Sequence, residues 1–224
     1  MPIAFEQVSF SYDDEHDALQ NIDLVVEDGE FLGVIGHTGS GKSTLVQLMN
    51  ALLVPTAGCV LVDGLDTRER KLRREVRTKV GLAFQYPETQ LFANTVAEDV
   101  AFGPRNLGLS DDEVNRRVRE ALDHVGLDYD AIAQRSPFDL SGGQQRRVAL
   151  AGILAMEPSV LVLDEPAAGM DPATVDEIRN YLRDLNDQGL TIVLVSHSMD
   201  DVAELCSRIV VLDHGVLHMQ LSLI

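Results

Sequence analysis

Residues 36–45 read GHTGSGKSTL and follow directly on the apolar run FLGVI. Glycine weakens both strands and helices, so a cluster of glycines at this place needs a reason. Gly36, Gly41, Lys42 and Ser43 fit the spacing G-x-x-x-x-G-K-[ST], with a strand pattern before them and a helical pattern after. In such a loop the backbone N–H groups of Gly36, His37, Thr38, Gly39, Ser40 and Gly41 turn inward around phosphate oxygens. The positive end of the helix that follows through Thr44 assists them. Lys42 then reaches the β- and γ-phosphates, and the Ser43 hydroxyl is a ligand for Mg²⁺.

A second stretch, VLVLDEP at 160–166, ends an apolar strand on two carboxylates. At the carboxyl end of a strand in an open α/β sheet they face the nucleotide. Asp164 is placed to hold Mg²⁺ through its water, and Glu165 to orient or deprotonate an attacking water. A third stretch, LSGGQQRR at 140–147, sets Ser141, Gly142, Gly143 and Gln144 at a helix start. That is a second anion site, about 100 residues from the first. One nucleotide does not need two such loops from one chain, whereas two chains arranged head to tail do. Guanine is set aside: none of Lys42, Lys71 and Lys79 sits in an N-K-x-D, and DLSG at 139–142 alone carries little weight.

The elements that must hold these residues can be read from periodicity. IAFEQVSFSY alternates as a half-buried strand, and IDLVVEDGEFLGVIG reads as strand, turn at Asp28-Gly29, and buried strand. VLVLDE and TIVLVSH are short continuous runs typical of parallel strands covered on both faces. STLVQLMNAL, VDEIRNYLRDLNDQG and MDDVAELCSRI have helical spacing. The stretch at about 87–156 is rich in helix formers. The expected fold class is α/β, with an N-terminal antiparallel sheet and an inserted helical region in one continuous domain.

At 224 residues with 45% hydrophobic and 24% charged positions, the composition is that of a soluble globular chain. No run approaches the ~18–20 apolar residues of a membrane span, and MPIAFEQVSF has no basic n-region or apolar h-region. The expectation is a cytoplasmic protein that works at a membrane only by docking onto another protein. The net charge of −18 argues against nucleic acid as the partner. The basic stretch RERKLRREVRTK at 68–79 reads as a solvated face, and Cys59 and Cys206 as buried free thiols.

With LSGGQ present letter for letter, the chain resembles the ATP-binding-cassette ATPases over nearly its whole length. The resemblance implies a P-loop NTPase core of RecA-like type, ATP and Mg²⁺ as cofactors, and a head-to-tail pair of ATPases. It places Tyr12, in FSY, against adenine, and Gln85 at the Mg²⁺ and the attacking water. It places Asp171, in AAGMDP, in the loop crossing to the partner, and His197, in LVSHSMDD, at the γ-phosphate. FQYPETQLF, with its second glutamine Gln90, together with SPFDLSGGQQRRVALAGILAMEP and DEPAAGMDP, resembles the ATPases of energy-coupling-factor transporters. Those import vitamins or transition-metal ions such as cobalt and nickel. The implied partners are a second ATPase, identical or a sister chain, an integral-membrane coupling protein and a substrate-binding membrane subunit. The implied place is the cytoplasmic face of the membrane. The tail VLHMQLSLI is unlike the family's longer continuation, so a truncated form, or pairing without that segment, is expected. Repair members carry a long coiled coil between the first and second anion sites, and translation members usually carry two cassettes. Neither pattern is present here.

Overall fold

Strands buried on both faces need no alternation, and such strands are what position the loops of this protein. The computed structural model describes residues 2–13, 17–166 and 172–223. In chain order the elements are β1 (Ile3–Ser11), β2 (Asp17–Val26), β3 (Phe31–Ile35), α1 (Lys42–Met49), β4 (Ala57–Val62), β5 (Leu65–Asp66), α2 (Arg73–Lys79) and β6 (Val80–Ala83). They continue with α3 (Val96–Asn106), α4 (Asp111–His124), α5 (Tyr129–Ile132), α6 (Gly142–Leu154), β7 (Val160–Asp164), α7 (Pro172–Asp187), β8 (Thr191–Val195), α8 (Met199–Leu205), β9 (Arg208–Asp213) and β10 (Val216–Ser222). The chain divides into two units, Met1–Leu82 with Ser159–Pro166 and Leu182–Ile224, and Ala83–Pro158 with Ala167–Tyr181. Among the described residues no helix is long and apolar enough to cross a membrane.

The first unit contains a six-stranded sheet in the order β10-β9-β3-β8-β7-β6. Strand β3 is parallel to both its neighbours, β7 is parallel to β8, and β10 is antiparallel to β9. Leu161, Val162, Ile192, Val193, Leu32 and Val34 are fully buried, each contributing about 1.5–3 kcal/mol relative to exposure. Register puts Asp164, Val195, Val34 and Val210 in one row across β7, β8, β3 and β9. The loops leaving these strands therefore start level with one another on one edge of the sheet. Helix α1 covers the sheet with Leu45, Val46, Leu48 and Met49, all buried.

A four-stranded antiparallel sheet, β2-β1-β4-β5, makes up the rest of the first unit's strands. The alternation expected of β1 is broken, since Ile3, Ala4 and Phe5 are all buried. The alternation also changes phase, from Ile3 and Phe5 to Val8 and Phe10, at a register shift between Phe5 and Val8 with Gln7 at φ 49°: a bulge re-aims the side chains that follow it. The basic stretch at 68–79 is spent on surface pairs, Arg68–Asp66, Lys71–Glu69 and Lys79–Asp63. Both cysteines are free, but only Cys206 is buried; Cys59 is half-buried and its thiol lies 3.2 Å from Glu6.

The second unit is helical. Thr95, Ser110 and Ser141 cap α3, α4 and α6 by accepting from the backbone N–H three residues on. These helices share a core of Val96, Val100, Val114, Val118, Leu122, Val148 and Ala151. The surface of α4 carries Glu113 between Arg116 and Arg117, at 2.6 and 2.8 Å.

Candidate active site

Lys42 opens α1 directly behind Gly41, whose φ is 106°. A Cβ on Gly41 would meet Ala18 O at 2.7 Å, and one on Gly36 would meet Leu212 O at 2.1 Å, so the loop closes only with glycine there. The Lys42 ammonium turns back into the loop and donates to Gly36 O at 2.8 Å and His37 O at 2.9 Å. Burial pulls Lys42 below its ordinary pKa, against the opposing pull of Glu165 and Asp164. Thr38 and Gly39 are exposed at the rim, and the buried Ser40 Oγ has no hydrogen-bond partner. Thr44 Oγ1 lies 3.1 Å from the Tyr12 hydroxyl. The Tyr12 ring, 65% exposed, stands edge-on to Phe10 and leaves a face open beside the loop.

Ser43 Oγ donates to Asp164 Oδ2 at 3.1 Å. Burial lifts the Asp164 carboxyl above its usual range, while Ser43 pulls the other way and Glu165 adds to the rise. The Asp164 carboxylate and the Ser43 hydroxyl together are an all-oxygen donor pair, which suits a hard cation such as Mg²⁺.

Glu165 is the first residue past β7 and sits at φ 52°, a left-handed conformation that costs a non-glycine residue energy. Its N–H donates to Val195 O at 2.9 Å, and its Oε1 lies 2.7 Å from His197 Nε2. His197 follows β8 by two residues in a turn tied at three points. Ser198 N–H donates to Ser196 Oγ at 3.0 Å, Asp201 N–H to Ser198 Oγ at 3.2 Å, and Ser196 Oγ lies 3.4 Å from the buried Asp201 Oδ2. Ser196, Ser198 and Asp201 escaped the sequence reading, although S-x-x-D ahead of an apolar helix is a cap signal.

Tyr12, residues 36–44, Asp164, Glu165 and His197 are thus joined by direct contacts within the first unit. Gln85 lies half-buried in the second unit, two residues past β6. In that unit Ser141 and Gln144 form a reciprocal capping box: Gln144 N–H donates to Ser141 Oγ at 3.3 Å and Ser141 N–H to Gln144 Oε1 at 3.1 Å. A Cβ on Gly142 or Gly143 would meet nothing within 4 Å. No internal packing therefore calls for glycine at these positions. Asp171 lies outside the described residues.

A glycine-built phosphate loop, with carboxylates and a histidine at the ends of adjacent parallel strands, defines a nucleotide-hydrolysing α/β cassette. Residues 19–168 match the ABC transporter family. The chain is 59% identical over 224 residues to the energy-coupling factor transporter ATP-binding protein EcfA2 of Symbiobacterium thermophilum, covering 98% of this chain and 77% of that protein. It is 53% identical over 200 residues to the protein of the same name from Clostridium perfringens, covering 88% and 70%. Among solved structures it is similar to cbiO1 from Clostridium perfringens, part of the ABC transporter complex cbiONQ. There the TM-score is 0.89 at 38% identity, over 98% of this chain and 87% of that one. It is also similar to the dimeric ATP-binding cassette MJ0796 in a post-hydrolysis state bound to ADP and Pi, with TM-score 0.87 and 31% identity over 99% of both chains. The chain belongs to the ABC transporter family, among its energy-coupling factor ATP-binding proteins, and it is an ATPase.

Proposed function

We propose that this chain powers an energy-coupling-factor importer of a vitamin or transition-metal ion from the cytoplasmic face of the membrane. The observation that supports the reading is the set Lys42–Ser43–Asp164–Glu165–His197, linked by Ser43–Asp164 and Glu165–His197 contacts at the end of the phosphate loop. Residues 36–44 bind the phosphates of ATP through backbone N–H groups, and Lys42 carries a positive charge to the β- and γ-phosphates. Adenine stacks on the open face of Tyr12. Ser43 and Asp164, with Gln85, would hold Mg²⁺, which when bound neutralises charge on the phosphate oxygens.

The Glu165 carboxylate accepts a proton from water as the water oxygen bonds to the γ-phosphorus and the bond to the β-phosphate oxygen breaks. His197 holds Glu165 in place before ATP arrives and contacts the γ-phosphate afterwards. Most of the acceleration comes from positioning and charge stabilisation. The exposed start of α6, with Ser141, the two uncrowded glycines Gly142 and Gly143, and Gln144, closes over the ATP of a second ATPase. That second chain is a sister or an identical copy. Exposed Phe92 and Phe102, packed edge-to-face at 4.9 Å, form an apolar patch in the unit that holds Gln85, where Tyr86 is exposed as well. This patch receives helices of the membrane coupling protein, which works with a substrate-binding membrane subunit.

Co-purification of the tagged chain from mildly solubilised native membranes tests the assignment. A second ATPase and a polytopic membrane protein are expected to accompany it. Recovery only in soluble fractions, with ribosomes, DNA or nothing, would leave an ATPase without a transporter.

A further inference from the structure

The register that levels β3 with β9 has a second result. Ile35 pairs with Val211, so His37 and Asp213, each two residues further on, come out side by side on the same edge. His37 Nε2 lies 2.8 Å from Asp213 Oδ1, and His214 Nε2 lies 3.8 Å from the same oxygen. The two imidazoles are 4.7 Å apart, and one ligand atom from each of the three residues lies within 4.8 Å of the others. We infer that His37, Asp213 and His214 form a site for a first-row transition-metal dication, such as Co²⁺, Ni²⁺ or Zn²⁺, separate from the Ser43–Asp164 position.

Three features point the same way. His37 Nδ1 lies 2.7 Å from Thr38 O; since a carbonyl only accepts, Nδ1 carries a hydrogen there, and Nε2 is the nitrogen turned to Asp213, where an ion would take the place of the proton the two share. A backbone carbonyl on the far nitrogen is how metal-binding imidazoles are oriented. Next, His214 and Gly215 form the β9–β10 turn with φ 46° and 76°. A two-residue turn with both φ positive favours Asn, Asp or Gly, and histidine tolerates that conformation better than most other residues, so the turn fixes His214 beside Asp213. Finally, β10 has a register shift between Leu217 and Met219, and His218 Nε2 lies 3.8 Å from the other Asp213 oxygen. That places a third imidazole within reach of the same carboxylate.

Two or three imidazoles and one carboxylate suit Co²⁺, Ni²⁺ and Zn²⁺ and are a poor set for Mg²⁺. His37 and His214 are exposed, so rotation of their side chains draws the ligand atoms to the about 3 Å spacing of groups sharing one ion, and water fills the remaining positions. The site also bridges two segments. Gly215 N–H already donates to Ser40 O at 3.0 Å, tying the β9–β10 turn to the phosphate loop. An ion held by His37 adds a second tie, so metal and loop are mechanically joined.

The test uses tag-free, chelator-treated protein without nucleotide, titrated with Co²⁺ and followed by its visible d–d absorption, then with Ni²⁺ by calorimetry. Wild type is expected to bind at a single site per chain, more tightly for Ni²⁺ than for Co²⁺, and to keep binding in excess Mg²⁺. His214→Ala and Asp213→Asn should each weaken Co²⁺ by about tenfold or more, and His214→Ala should melt as wild type does without metal. His197→Ala should bind as wild type does. Hydrogen exchange should show amides of 37–41 and 213–218 slowing together on adding Co²⁺, in wild type only. No binding, equal binding by His214→Ala, or loss of binding in His197→Ala would overturn the inference. The last would place the ion on the Glu165–His197 pair.

Discussion

Glu165 holds two unfavourable conditions at once: a left-handed backbone at φ 52° and a carboxylate next in chain to the half-buried Asp164. Its bonds to Val195 O and His197 Nε2 keep it there. For a non-glycine residue such a backbone costs about 1–3 kcal/mol, a sum that persists where geometry matters more than stability. Substitutions at this position should therefore separate chemistry from folding. Glu165→Gln keeps the shape but loses the proton acceptor; it should bind ATP, hydrolyse it roughly 10²–10⁴-fold more slowly, and accumulate as a closed pair on gel filtration. Glu165→Gly loses the carboxylate but relaxes the backbone, so it should be as inactive and yet melt within about 1 kcal/mol of wild type. Near-normal turnover of Glu165→Gln in a single-turnover ATPase assay would remove Glu165 as base. A clear fall in melting temperature for Glu165→Gly would show that no strain is held at this residue.

Among the elements, the 3-10 turn Pro87–Gln90 and α6 are joined by Arg146, which is 8% exposed and pairs with both Glu88 oxygens at 3.1 and 3.2 Å. Burial pushes Glu88 up, but the double hydrogen bond from Arg146 outweighs it and holds the carboxyl below its ordinary 4.5. A carboxyl depressed in the folded state adds stability that is complete above the unfolded value and lost as pH falls through the folded one. Arg146→Ala should accordingly destabilise by roughly 1–3 kcal/mol near neutrality, and the gap from wild type should narrow below about pH 4.5. Chemical denaturation at both pH values checks it, and an equal gap at both would mean packing, not charge, is what Arg146 supplies. How much of this architecture could be read beforehand varies by element. Strands β3, β7 and β8 announce themselves as continuous apolar runs, and the phosphate loop as a spacing, because each is local. The bulge that spoils alternation in β1 and the exposed strand β10, read as a mere tail, leave no binary pattern to find. Pairing of His37 with Asp213 depends on β3–β9 register between distant parts of the chain, which no local pattern encodes.

For the chain as a whole, acidic residues outnumber basic ones two to one, 36 against 18, giving a net charge of −18. Two opposing effects of salt follow. Exposed pairs such as Arg116–Glu120 and Arg183–Glu204 weaken when screened, but each contributes only about 0–1 kcal/mol. The excess negative charge repels itself over longer distances, and that repulsion is felt most at about 0.01 M salt, where the screening length is near 30 Å rather than about 10 Å at 0.1 M. With this charge imbalance the second effect should win, so the melting temperature should rise steadily from about 10 mM to about 0.5 M NaCl. The same reasoning extends to pairing: two chains this acidic repel one another, and ATP-driven closure of Glu165→Gln should tighten with salt over the same range. NaCl and KCl must act alike if screening is the cause, which a melting series and gel filtration in each salt will read directly. A melting temperature that falls with salt would instead mean that the local pairs, few as the basic residues are, dominate the electrostatics of this fold.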